Sequence, residues 1–269
     1  MRAILATDFG PLPSTALLQT LAWPPRSELE IVHVVAHSAA GRVASTVDER
    51  NDLARGLAVG LRETLPALRV RNTTLVGEIV GELVRRAGEI QADLMIVGAP
   101  RRHVWCRGRS VVAHLVARTA CALLVARTDR ISRLLLVDDG TPASDAALRM
   151  IEESTLLPSL PVAVVRALDL DSTIATPRRT LFVQEPPEYV EARDVANVRL
   201  EERVARLTLS GRSAFGVVRG GPPRDEVLHV ARALRVDTVV LGAPTPAGRW
   251  STLARRVALE ADCSVLIAP

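Results

Sequence analysis

The sequence predicts an α/β protein of two tandem, doubly wound domains, each built on a five-stranded parallel sheet. Three observations predict it. The 269-residue chain repeats its own pattern at an interval of about 130 to 140 residues. Its strand-length segments are continuous apolar runs, as expected of parallel strands buried on both faces. Amphipathic stretches of helical period separate those runs, giving the alternation of strand and helix that winds such a sheet.

The elements follow in the same order in both halves. Arg2-Ala-Ile-Leu-Ala-Thr-Asp8 and Arg133-Leu-Leu-Leu-Val-Asp-Asp139 are first strands, short apolar runs that end in aspartate and a turn. A helix follows each, carrying Ala16, Leu17, Leu18 and Leu21 in one half and Ala146, Ala147, Leu148 and Ile151 in the other. Second strands run Leu29-Glu-Ile-Val-His-Val-Val35 and Val162-Ala-Val-Val-Arg-Ala-Leu168. A variable polar stretch then leads into another helix, around Leu53, Leu57 and Leu61 and around Val195, Val198 and Val204. Third strands lie near residues 70–76 and 214–218. Gly77 and Gly221 precede third helices, marked by Ile79, Val80, Leu83, Val84, Ala87 and Ile90 and by Val227, Leu228, Ala231 and Leu234 at helical spacing.

The fourth strands align without a gap, Ala92-Asp-Leu-Met-Ile-Val-Gly-Ala-Pro100 over Val236-Asp-Thr-Val-Val-Leu-Gly-Ala-Pro244. An arginine-bearing loop, a helix and a last strand close each half, Cys121-Ala-Leu-Leu-Val-Ala126 and Cys263-Ser-Val-Leu-Ile-Ala268. The expected domains are therefore residues 1–129 and 130–269. The join near residues 127–130 is short, so the two domains should pack together.

Composition narrows the function classes. Apolar residues make up 48%, charged residues 24% and aromatics 3%, the balance of a globular protein rather than a disordered chain. No apolar stretch reaches the roughly eighteen residues of a membrane span, and the first residues lack a signal-peptide core, so a cytoplasmic protein without membrane association is expected. Three scattered cysteines, Cys106, Cys121 and Cys263, make neither a disulfide framework nor a zinc site. All 34 basic residues are arginines, against 30 acidic ones. Their runs are short, interleaved with acids and without aromatic platforms, which argues for solvated surface over nucleic-acid binding.

In doubly wound sheets a ligand sits beyond the carboxyl ends of the strands, where strand order reverses. That rule selects Asp8, Val34 and Gly98 in the first half and Asp139, Ala167 and Gly242 in the second. Other candidates are poorer. His33 and His37 lie four apart, but a strand does not converge them on one metal. His103 and Cys106 lack further ligands nearby. Ser110, His114 and Asp8 supply the residue types of a hydrolytic triad without a nucleophile elbow, so no catalytic residue and no metal are expected.

Taken together, the Thr-Asp8-Phe and Asp-Asp139-Gly strand ends, the His33-Val34-Val35 close of the second strand, the paired Gly-Ala-Pro strands and the last-strand cysteines resemble the universal stress proteins, over nearly the whole chain. The resemblance implies two copies of an adenine-nucleotide-binding domain of the adenine nucleotide alpha hydrolase-like class. It also implies that the copies pair as a pseudo-dimer through last strands 121–126 and 263–268, with association of two chains as a further possibility. Edge pairing of this kind relieves two exposed apolar strands. The family's adenosine contacts fall on Asp8 and Val34, and on Asp139, with Ala167 in place of the valine.

The phosphate loops depart from the family. Its nucleotide-binding members carry a glycine, a second glycine three residues on, and a glycine with serine or threonine opening the last helix. Here Gly98 is followed at the second glycine position by Arg101, and Ser110 comes 12 residues after Gly98 where the pattern needs 14. In the second half Thr245 replaces the second glycine, and Ser251 and Thr252 follow Gly242 by only nine and ten residues. Losing two backbone contacts to phosphate costs about 3–6 kcal/mol, enough to turn a micromolar site millimolar. Arg101, Arg102, Arg107 and Arg109 in the first loop, and Arg249 in the second, are the groups that could offset it.

The expected function is that of a non-enzymatic stress-response regulator or protective factor with degenerate nucleotide loops, where ATP or AMP binds weakly if at all. The alternatives are an ATP or AMP sensor with one working site in the first domain, and a module that binds a protein or RNA partner.

Overall fold

The computed structural model describes residues 1–9, 15–36, 43–99, 110–157, 159–169, 187–243 and 252–269. The first half comprises β1 (Arg2–Ala6), α1 (Thr15–Thr20), β2 (Glu28–Val35), α2 (Val43–Thr64), β3 (Arg69–Val76), α3 (Ile79–Glu89), β4 (Leu94–Gly98), α4 (Val111–Arg118) and β5 (Ala122–Ala126). The second repeats it with β6 (Leu134–Val137), α5 (Pro142–Glu153), β7 (Val162–Leu168), α6 (Pro187–Leu209), β8 (Ala214–Gly220), α7 (Pro223–Ala233), β9 (Thr238–Gly242), α8 (Leu253–Glu260) and β10 (Ser264–Ala268).

All ten strands form one sheet in the order β3-β2-β1-β4-β5-β10-β9-β6-β7-β8. Pairing is parallel within each half and antiparallel at the centre, where Val265, Leu266 and Ile267 face Val125, Leu124 and Leu123. The two expected last strands are therefore joined edge to edge within the chain. Both are buried along their whole length, which removes the two apolar edges that separate halves would expose.

Helices cover both faces, as continuous apolar strands require. Leu17, Leu18, Leu61, Leu148, Ile151 and Leu200 bring α1, α2, α5 and α6 onto one face. Val80, Leu83, Leu115, Val227 and Val257 bring α3, α4, α7 and α8 onto the other. The join is strapped at several points: Arg127 N and Thr128 N donate to Ser264 Oγ at 3.0 and 3.1 Å, and Ile131 N donates to Thr20 Oγ1 at 3.1 Å.

Two expectations need adjustment. The fourth and last strands begin one or two residues later than their apolar runs, and acidic residues ahead of the fourth strands bond to distant segments instead. Asp93, for example, receives Arg2 N at 2.7 Å, and Asp237 receives Ser132 N at 3.0 Å. The α2 and α6 helices are present, but Leu53, Val195 and Val198 lie on their exposed sides, while Ala54, Ala58 and Leu61 and Ala196, Leu200 and Leu207 make the contact with the sheet.

Candidate functional site

Strand order reverses at β1, which pairs with β2 on one side and β4 on the other, and again at β6, between β7 and β9. The candidate residues collect at the carboxyl ends of these strands. In the first half Asp8 follows β1, Val34 is the penultimate residue of β2 and pairs with Leu75 of β3, and Gly98 ends β4 against Ala126. Ser110 opens α4 and spends its hydroxyl there, accepting from Ala113 N at 3.4 Å. His114 Nδ1 donates to the Ser110 carbonyl at 2.9 Å, so this pair caps a helix and does not form a serine–histidine dyad. Arg101, Ser251, His37 and His103 lie outside the described residues, as do Cys106, Thr245, Arg249 and the arginines at 102, 107 and 109.

Above β1 the backbone turns sharply. Phe9 adopts a left-handed φ of 58°, and its counterpart Gly140 above β6 has φ 74°. The Phe9 ring lies against His33, with centroids 4.7 Å apart, and Arg50 stands over the Phe9 ring at 5.5 Å from its centroid. His33 Nδ1 donates to Thr7 O at 2.7 Å. Burial holds this imidazole below its usual value of 6.5, against the opposing hydrogen bond to Thr7; the charge of Arg50 adds to the lowering and that of Asp8 resists it. The histidine thus ties the ends of β1 and β2 together, and no group of three metal-ligating side chains occurs among the described residues.

The second half shows a cleft of about 510 Å³ at the equivalent place. Three of the residues selected from the sequence, Asp139, Ala167 and Thr252, line it together, and so do Arg166, Arg224 and Arg256. Helices α7 and α8 begin at this cleft, and neither has a side chain bonded to its first amides. Elsewhere Glu78, Ser110 and Thr141 cap α3, α4 and α5. Arg224 is committed to Glu260 and Asp225.

Asp139 is also committed. Its Oδ1 accepts from Thr141 N at 2.9 Å and from Thr141 Oγ1 at 2.6 Å, while Thr141 Oγ1 receives Ser144 N at 3.4 Å as the cap of α5. Gly242 is fixed by packing. A Cβ there would stand 2.1 Å from the carbonyl oxygen of Ala143, so the glycine is required where β9 ends against the first turn of α5.

Beneath this turn lies a network that pattern reading did not single out. Asp138 is buried and binds Arg166 Nη1 at 2.7 Å and Arg203 Nε at 3.4 Å, with Ser144 Oγ at 3.1 Å. Arg203 pairs in addition with Asp145. An arginine inside the apolar run of β7 was the available signal, since a charge in a strand covered on both faces needs a partner. The equivalent position in β2 is His33: Val32 and Val165 accept from Thr7 N and Asp138 N at 3.0 and 2.9 Å, which fixes the register.

The two described cysteines are poorly activated. Burial raises the Cys121 thiol and pushes Cys263 up to about 11, so both are protonated at neutral pH. No described helix is long and apolar enough to cross a membrane.

A family model, the Universal stress protein family, matches residues 130–269, just over half of the chain. The chain belongs to the universal stress protein family. Its structure is similar to that of a universal stress protein from Archaeoglobus fulgidus DSM 4304, with a TM-score of 0.72 at 12% identity over 99% of this chain and 95% of that one. It is also similar to a functionally unknown protein from Pseudomonas aeruginosa PAO1, with a TM-score of 0.58 at 17% identity over 100% of this chain and 92% of that one. At such identities these likenesses establish the fold of universal stress proteins for the whole chain. No curated protein sequence matches it.

Proposed function

We propose that this chain is a tandem universal stress protein, with one domain over residues 1–129 and a second over residues 130–269. In this reading it serves the cytoplasmic stress response as a regulator or protective factor, without catalysis, and its adenine-nucleotide sites are degenerate. The observation that carries the proposal is the state of Asp139. By family resemblance this carboxylate contacts adenosine, yet here Thr141 satisfies one of its oxygens twice and uses it to fix the cap of α5. Freeing it for a ligand forfeits part of that cap, worth about 1 kcal/mol, before any contact is gained.

Gly242 supports the same reading, since it answers to packing against Ala143. On the catalytic side, Ser110 is used as a cap, and the two described cysteines are held protonated by burial.

The proposal is tested by purifying the full chain natively, extracting it with acid for bound nucleotide, and following phosphate release after addition of magnesium–ATP. The expected result is no stoichiometric nucleotide in the extract and no protein-dependent phosphate release. Turnover that scales with protein and survives repurification would refute the non-enzymatic assignment. Stoichiometric nucleotide in the extract would refute the degenerate sites.

A further inference from the structure

The two outer edges of the ten-stranded sheet are built from equivalent strands with opposite chemistry. β3 ends the sheet on one side and β8 on the other. Register through β2 and β7 places Arg71 and Phe215 at the same position, next to Glu30 and Ala163 respectively. On β3 the edge is guarded by charge, with Arg69 and Arg71 both directed to Glu28. On β8 the corresponding Phe215 is 49% exposed, and Gly216 beside it is exposed as well. Arginines along an edge deter strand addition, whereas an exposed aromatic beside bare backbone invites it.

The hydrogen-bond parity of β8 defines what the edge offers. Ser213 O accepts from Val162 N at 2.9 Å, and Gly221 N donates to Leu168 O at 3.0 Å. Parallel pairing then turns the amides and carbonyls of Phe215, Val217 and Arg219 toward β7. Those of Ala214, Gly216, Val218 and Gly220 face outward, and no described strand pairs with them.

We propose that this edge receives the β8 strand of a second copy of the chain, antiparallel and centred on Val217. That register overlaps the strand end to end. It matches each outward residue with an outward residue, Gly216 with Val218 and Ala214 with Gly220, so every free amide and carbonyl of the pair is satisfied. It also sets Phe215 directly opposite Arg219 of the second copy, in the non-hydrogen-bonded positions where side chains approach most closely. Arg219 is held from its own side by Glu226, whose Oε2 is 3.0 Å from Nε, and presents its guanidinium to the incoming ring. The strand is thus complementary to itself in backbone parity and in side chains, which is what a twofold contact requires.

Sedimentation velocity on the full chain, from low to high micromolar concentration, tests this with two variants. Phe215→Arg carries the residue that the first half already has at this position, and it places like charges opposite each other. Phe215→Glu removes the same apolar surface but sets a carboxylate opposite Arg219 of the second copy. The expected result is a wild-type monomer–dimer equilibrium that Phe215→Arg weakens by at least about tenfold and Phe215→Glu preserves, both variants keeping the wild-type circular dichroism. A wild type that stays monomeric throughout overturns the proposal. So does a dimer indifferent to Phe215→Arg, which would place the contact elsewhere, or one weakened equally by both variants, which would leave only a nonspecific apolar patch.

Discussion

Where one half of this molecule has the contact between His33 and Thr7 O, Asp138 and Arg166 form a buried ion pair in the other. Their side chains are only 1% and 12% exposed, and Arg203 approaches the same carboxylate from α6. Removing one member of a buried pair strands the other's charge and typically costs about 3–5 kcal/mol. Arg166→Ala should fall at the low end of that range, because Arg203 and Ser144 still serve Asp138. Urea unfolding followed by circular dichroism checks it; a change within a few tenths of a kcal/mol would mean that the carboxylate is already satisfied without Arg166. Little of this was legible in the sequence. Asp138 reads as part of an acidic turn, and Arg203 stands far from it along the chain, so only tertiary packing brings the three together. Asp139 and Ala167 were legible, because strand register alone carries them to the cleft.

At the scale of the element, the junction of β1, β2 and the turn above them should respond to pH through His33. Burial holds its folded-state pKa below the 6.5 of the unfolded chain. Between those two values the unfolded state binds more protons, so stability rises with pH and is lost as pH falls from 6.5 toward the folded value. His33→Asn keeps a donor for Thr7 O and removes the titration. The stability difference between wild type and variant should therefore shift against the wild type on going from neutral to mildly acid pH, as read from urea midpoints. A pH-independent difference would show that His33 has the same proton affinity folded and unfolded.

The same scale shows where periodicity misleads. Val195 and Val198 mark a helix correctly, yet they face away from the sheet, because the contact of α6 runs through Ala196, Leu200 and Leu207. An outer helix over the last two strands of a sheet has a narrow buried stripe, and its remaining apolar residues are free to sit on other faces.

Across the whole molecule, the repeat was the decisive signal. The inner strands of each half are buried on both faces, so apolar runs such as residues 94–98 and 238–242 announce a parallel sheet without any help from local propensity. The antiparallel joint between β5 and β10 follows from the same economy of edges, for two apolar last strands bury each other. Chemistry is harder to read at this scale, since it depends on whether turn residues are spent on the fold or left for a ligand. Asp139 and Gly242 match a nucleotide-binding pattern by position and Ser110 by residue type alone, and each is engaged in capping or packing, Asp139 through one of its oxygens.

The measurement that tests this most directly is an isothermal titration of the nucleotide-free full chain with magnesium–ATP and, separately, with AMP. Degenerate sites predict no saturation by either nucleotide below about millimolar concentration, the affinity left when two phosphate contacts are lost from a micromolar site. Saturation near micromolar at a stoichiometry of one would contradict it, and would mean that one half binds nucleotide through groups other than those its turns have already consumed.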